Sequence, residues 1–140
     1  MPVHVTATIL CDDVRVENNG KLILIGVYTP HPLVPQIPFT FPSMAFVQTW
    51  ESDTAGTFQF RARLRHTESG TVVADSGGMM AIQQAGAGVS ILGFRNLRID
   101  RLGAYDFTTT LDGQPEPAGV HTFSILLQPA QPALPGGFHS

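Results

Sequence analysis

Apolar and polar residues alternate along most of this chain, and short clusters of glycine, proline, asparagine and aspartate interrupt the alternation. The clearest stretch is Thr57 to His66. Phe58, Phe60, Ala62 and Leu64 fall on one side of it, and Gln59, Arg61, Arg63 and Arg65 on the other. Successive side chains of a strand point to opposite faces, so this pattern predicts a strand with one packed and one wet side. The same period marks Val3 to Arg15, Met44 to Glu51, Val89 to Ile99, Ala104 to Leu111 and Val120 to Gln128. Thr71 to Ala74 and Met79 to Gln83 read as two shorter pieces, with Gly77-Gly78 suggesting a bulge or bend between them. No window of helical length carries a 3.6-residue apolar stripe. About eight strands spaced by turn signals predict an all-β fold: a two-sheet antiparallel β-sandwich of immunoglobulin-like or jelly-roll type.

The strongest hairpin signal lies near the N-terminus. Cys11-Asp12-Asp13-Val14-Arg15-Val16 leads into Asn18-Asn19-Gly20, and Lys21 to Tyr28 follows. Asn19-Gly20 supplies two residues that tolerate positive φ, as a tight I′ turn requires. Lys21 to Tyr28 is apolar on both faces, which suits a central strand covered on each side or one passing under a loop. In the preceding strand Val5, Ala7 and Ile9 share one face, and Thr6, Thr8 and Leu10 the other. The expected core is Ile9, Leu22, Leu24, Phe46, Phe58, Phe60, Leu64, Phe94, Tyr105, Phe107, Phe123 and Ile125.

Two segments differ in kind. Thr29 to Pro42 holds five prolines, each fixing φ and removing a donor, so it should be an extended crossover between sheets or along an edge. Residues 129–140 have the composition of a loosely ordered tail. The organisation expected is one β-sandwich domain over residues 1–128 followed by that Pro/Gly-rich tail.

Composition narrows the class. With 43% hydrophobic and 14% charged residues among 140, the chain can bury a core without disulfides or a metal. The net charge of −3 offers no general attraction to nucleic acid or anionic lipid. The single cysteine, Cys11, excludes an intramolecular disulfide framework and points to a reducing compartment, the cytoplasm. The N-terminus lacks a basic segment followed by a long apolar run, and no apolar run is long enough to span a bilayer.

Few residues suggest chemistry. Arg61, Arg63 and Arg65 share a strand face and could grip phosphates or carboxylates, but no aromatic interleaves them to stack bases. Trp50, with Phe39 and Phe41 nearby, could form a platform for sugars. Asp12, Asp13 and Glu17 cluster around the hairpin, though their spacing matches no calcium loop. The five histidines lack zinc-site spacing, and no nucleophile motif or phosphate loop is present. Gly103-Ala104-Tyr105-Asp106-Phe107 resembles the step at which immunoglobulin-like sandwiches fold a tyrosine back onto a corner, an architectural role.

Together, Cys11-Asp12-Asp13-Val14-Arg15, Gly20-Lys21, Leu24-Ile25-Gly26-Val27-Tyr28, the later Phe58-x-Phe60-Arg61-x-Arg63-Leu64 and Gly103-x-Tyr105-x-Phe107 resemble a family of small uncharacterised bacterial proteins. The resemblance spans about residues 5–128. It implies a bacterial, one-domain β protein of unknown function, and lends no site residues. The expectation is therefore a non-catalytic binding or assembly module without cofactor or metal. Its partner would be a second copy or another protein, not nucleic acid or a membrane. The alternatives are a carbohydrate- or anion-binding lectin-like domain using Trp50, Tyr28 or Arg61, Arg63 and Arg65, and a small β-scaffold enzyme.

Overall fold

The computed structural model describes residues 3–82 and 84–129. The strands are β1 (Val3–Cys11), β2 (Asp13–Val16), β3 (Leu22–Ile25), β4 (Leu33–Val34), β5 (Phe39–Ser52), β6 (Gly56–His66), β7 (Val72–Ile82), β8 (Gly86–Ile99), β9 (Gly103–Leu111) and β10 (Gly119–Leu127). The fold is all-β. Among the described residues no helix is long and apolar enough to cross a membrane. The strands form a three-stranded sheet in the order β1-β5-β8, a five-stranded sheet β4-β10-β9-β6-β7 and the hairpin β2-β3. Every pairing is antiparallel except the short parallel contact between β4 and β10.

One core joins the two larger sheets. Phe46 and Met44 of β5 and Leu92 of β8 meet Leu64 of β6, Tyr105 and Phe107 of β9, and Phe123 and Ile125 of β10. Phe46 stacks on Phe107 with ring centroids 3.9 Å apart and planes 8° from parallel. Burying each of these aromatics contributes about 1.5–3 kcal/mol before the cost of ordering the chain. Beside them Val3, Trp50, Leu111 and Ala118 close a second cluster. The period-two reading of β6 holds: Ala62 and Leu64 are buried, Phe58 and Phe60 pack against the core, and Arg61, Arg63 and Arg65 are exposed.

Ile9 is a correction. It is 39% exposed, while Leu10 is buried. The register slips between Val5, opposite Trp50, and Ala7, opposite Thr49, so Thr6 is an extra residue in β1. A bulge of this kind turns every later side chain to the other face. Val3 and Val5 therefore pack inward ahead of it, and Thr8 and Leu10 behind it.

A second change of face occurs at Pro42. Between the pairs Phe41–Leu97 and Ser43–Arg95, Asn96 adopts φ 53°, and the buried positions of β8 pass from Leu92 to Leu97 and Ile99. Pro42 is tolerated inside β5 because the pairing with β1 ends at Ala45, leaving that flank without a strand. The proline-rich crossover thus ends earlier than its composition suggests, with β5 beginning at Phe39.

Lys21 to Tyr28 is not a central strand. Its core, β3, pairs with β2 alone, and the hairpin lies on the outer face of the three-stranded sheet. There Val14, Leu22 and Leu24 cover Cys11, Ala45 and Val47, while Ile23 and Ile25 face outward at 46% and 43% exposure. The turn is also not of the I′ type, because Asn19 lacks the positive φ that such a turn needs. Gly20 N donates to Glu17 O and Glu17 N to Lys21 O, with Gly20 at φ 86°. This is a three-residue loop with a left-handed glycine at its end. Gly77-Gly78 does not interrupt β7 either. It passes close to Phe60, where a Cβ on Gly77 would lie 3.2 Å from the Phe60 carbonyl oxygen. Of the expected tail, residues 130–140 lie outside the described residues.

Candidate functional site

The solvent face of the five-stranded sheet brings Arg61, Arg63 and Arg65 together as the alternation requires. Each guanidinium already faces a carboxylate. Asp75 of β7 lies 3.2 Å from Arg61 and 3.4 Å from Arg63, and Asp106 of β9 lies 3.2 Å from Arg65. Asp106 also accepts from Thr67 and Thr108. Exposed pairs such as those of Asp75 are worth only about 0–1 kcal/mol. The two carboxylates offset two of the three positive charges of the stripe. The stripe is not extended by its neighbours. His66 points inward, and Arg95 and Arg98 belong to β8 in the other sheet.

Trp50 offers no platform to a sugar. It is 2% exposed, sits among Val3, Leu111 and Ala118, and donates its indole N–H to Ser90 Oγ at 2.7 Å. Tyr28 is half-buried and committed as well. Its hydroxyl donates to Asp12 Oδ1 at 2.5 Å, and its ring meets Phe41 edge-on at 6.4 Å. Burial and the Asp12 carboxylate push its phenol well above the ordinary range.

The carboxylates of the first hairpin separate instead of converging. Asp12 takes Tyr28, while Asp13 accepts from Val14 N and lies 3.3 Å from Arg15. Among the described residues no group of three or more His, Cys, Asp or Glu is arranged to hold a metal ion. Cys11 is fully buried, and burial pushes its thiol up, away from the reactive thiolate.

His66 is the most connected titratable side chain. Its Nε2 lies 2.9 Å from the Leu102 carbonyl oxygen, so that nitrogen carries the proton. Nδ1 then accepts from the Ser69 hydroxyl at 2.7 Å and the Ser69 amide at 3.2 Å. Among the described residues no carboxylate bonds the ring. Two cavities adjoin it, one of about 170 Å³ beside Thr71, Arg101 and Tyr105 and one of about 520 Å³ beside Glu68, Ser69 and Leu102, with Asp100 lining both. The arrangement ties the β6–β7 turn to the β8–β9 connection.

The unexplained surface is the outer face of β1-β5-β8. Cross-strand register aligns Ile9, Val47 and Ile91 in one row and Ala7, Thr49 and Val89 in the next. The β2-β3 hairpin covers Val47 in the middle of the first row together with the neighbouring Cys11 and Ala45. Beyond its cover Ile9 is 39%, Ile91 40% and Val89 57% exposed. Beside these rows β8 is an outer strand that pairs with β5 alone, and its first nine residues, Gly86 to Phe94, include no charge. On the β8 side, Ile91 and Val89 thus lie exposed beside a strand edge without a pairing partner, and Ile9 lies exposed on the far side of the buried Val47. Sequence alternation found Val89 and Ile91 on one face of their strand. Only the hairpin's position and the bulge at Thr6 reveal that this face is the outer one and that Ile9 shares it.

A family profile described as a family of unknown function, DUF6941, matches residues 6–125. The chain belongs to that family. No curated protein matches the chain in sequence. Among solved structures, it is similar to the Pseudomonas fluorescens alkylpurine DNA glycosylase AlkC bound to DNA containing an abasic site analog. That similarity has 9% identity and a TM-score of 0.54, over 89% of this chain and 30% of the glycosylase. It is also similar to the C-terminal domain of wzt, at 9% identity and a TM-score of 0.52, over 89% of this chain and 73% of that domain. The chain thus spans less than a third of the glycosylase, and both likenesses concern the fold alone.

Proposed function

We propose that this chain is a non-catalytic assembly module, a two-layer immunoglobulin-like sandwich that associates through the outer face of its three-stranded sheet. The sandwich reading is supported by the core shared between β1, β5 and β8 on one side and β6, β9 and β10 on the other. It is supported too by Tyr105, whose hydroxyl turns back to the Arg101 carbonyl at 2.5 Å, as the corner tyrosine of immunoglobulin-like folds does.

The observation that carries the assembly reading is the exposure of Ile9, Ile91 and Val89 on one outer face, beside the uncharged stretch of β8. The opposite outer face is charged and internally paired, which favours this face over the arginine stripe as the contact surface. A non-catalytic role is supported by the engagement of His66, Asp12 and Tyr28 in bonds that hold turns and hairpin in place. The buried, unpaired Cys11 suits a reducing cytoplasm.

Sedimentation velocity across a concentration series tests the assembly reading. The chain should associate, and the double variant Ile9→Lys/Ile91→Lys should sediment as a monomer with unchanged thermal stability. A chain that stays monomeric at every concentration overturns the proposal, as does a variant that folds normally and associates like the parent.

A further inference from the structure

We infer that the partner on this face is a second copy of the same chain, joined edge to edge through β8 about a two-fold axis near Ser90. The inference rests on the assembly reading above and adds the occupant, the strand and the register. An antiparallel pair of identical strands related by a two-fold must tolerate itself at every position. Any charge near the axis would meet its own copy at close range and repel it.

From Gly86 to Phe94 β8 carries no charge, so that clash does not arise. Centring the pair on Ser90 sets Val89 opposite Ile91 of the second copy and Ile91 opposite its Val89. These half-exposed β-branched side chains then cover each other on the same outer face. The row Ile9–Val47–Ile91 runs on into Val89, Thr49 and Ala7 of the other copy, and the two three-stranded sheets become one six-stranded layer.

Charge and irregularity set this half-strand apart from the rest of β8 and from the start of β7. Past Phe94 the edge is guarded by Arg95 and Arg98 and redirected by Asn96 at φ 53°. The outer strand of the other sheet, β7, carries Asp75 in its first half and a register shift against β6 between Leu64 and Arg65. Unpaired strands bearing charges and irregularities resist edge-to-edge addition. Gly86 to Phe94 has neither protection.

Paired cysteines test the register. Residues directly opposite in an antiparallel pair have Cα atoms about 4.5–5.5 Å apart, within disulfide reach, whereas a residue and its own copy two positions off the match lie beyond it. Under mild oxidation, Val89→Cys/Ile91→Cys should form a covalent dimer, and Val89→Cys or Ile91→Cys alone should not. Cys11 is buried and adds no background. Ile91→Lys should weaken self-association by about tenfold or more. Association that persists without a pair-specific crosslink overturns the β8 register and leaves the assembly reading standing. A parent chain that is monomeric throughout overturns both, and a crosslink confined to the double variant supports both.

Discussion

Tyr28 and Asp12 hold the base of the opening hairpin together: the phenol donates to the carboxylate at 2.5 Å just where β1 ends and β2 begins. Around this pair Asp12 N donates to Ile25 O and Gly26 O, Tyr28 N donates to Leu10 O, and Ser43 Oγ donates to Asp12 O. These residues at the base of the opening hairpin therefore form a latch. It seats Val14, Leu22 and Leu24 on the outer face of the three-stranded sheet and sets the limit of the exposed apolar rows beside them.

Removing the phenol hydroxyl should loosen the latch without emptying the core. Tyr28→Phe keeps the edge-on contact with Phe41 and should cost about 1 kcal/mol, as expected for one hydrogen bond near the surface. Gly26→Ala should cost more, about 1–3 kcal/mol, because Gly26 sits at φ 68° and a Cβ there would collide with Asp12 Oδ2. Urea unfolding of both variants measures the difference.

The latch also has an alkaline signature. Tyr28 titrates higher folded than unfolded, so its contribution is fully present below the unfolded value of 10.0 and is lost as pH rises beyond it. Stability should fall on the alkaline side, and Tyr28→Phe should flatten that limb. Equal slopes for parent and variant would contradict the assignment.

His121 gives the opposite limb. Burial lowers its pKa from the ordinary 6.5, and its ring stacks on Phe123 at 6.0 Å. A histidine held neutral by the fold contributes stability above its unfolded pKa, and that contribution is lost as pH falls below about 6.5. His121→Gln should reduce the slope of stability against pH between 6.5 and its lowered folded value.

Much of this architecture is legible in the alternation. The packed and wet faces of β6 follow directly from Phe58 to Arg65, and the role of Tyr105 follows from its Gly-x-Tyr-x-Phe setting. What misleads is any event that shifts phase without a marker residue. The bulge at Thr6 involves neither glycine nor proline, so Ile9 reads as inward when it faces out. Lys21 to Tyr28 reads as doubly buried because its residues are apolar on both sides. Yet one side covers a sheet and the other side is exposed. Trp50 reads as an accessible platform, but the inward face of β5 buries it. The exposed outer face of β8 is hidden for the same reason: apolar residues alone do not say which face of a strand the core claims.

The buried polar pair between the sheets should behave as a unit. Gln48 and Thr109 are 1% and 0% exposed, and their side chains bond each other at 3.2 and 3.3 Å. Thr109→Val alone strips Gln48 of a partner and should cost about 1–3 kcal/mol. Gln48→Leu/Thr109→Val should recover part of that, because only the half-buried Thr8 hydroxyl then loses its Gln48 donor. A double-mutant cycle by chemical denaturation reads the coupling.

Amide hydrogen exchange followed across a concentration series bears most directly on the claim that the β1-β5-β8 layer is where this chain associates. The account predicts that protection of residues 86–94 rises with concentration while β7, the outer strand of the other sheet, exchanges at a constant rate. Protection of residues 86–94 that does not change with concentration, or that rises instead along β7, would contradict it.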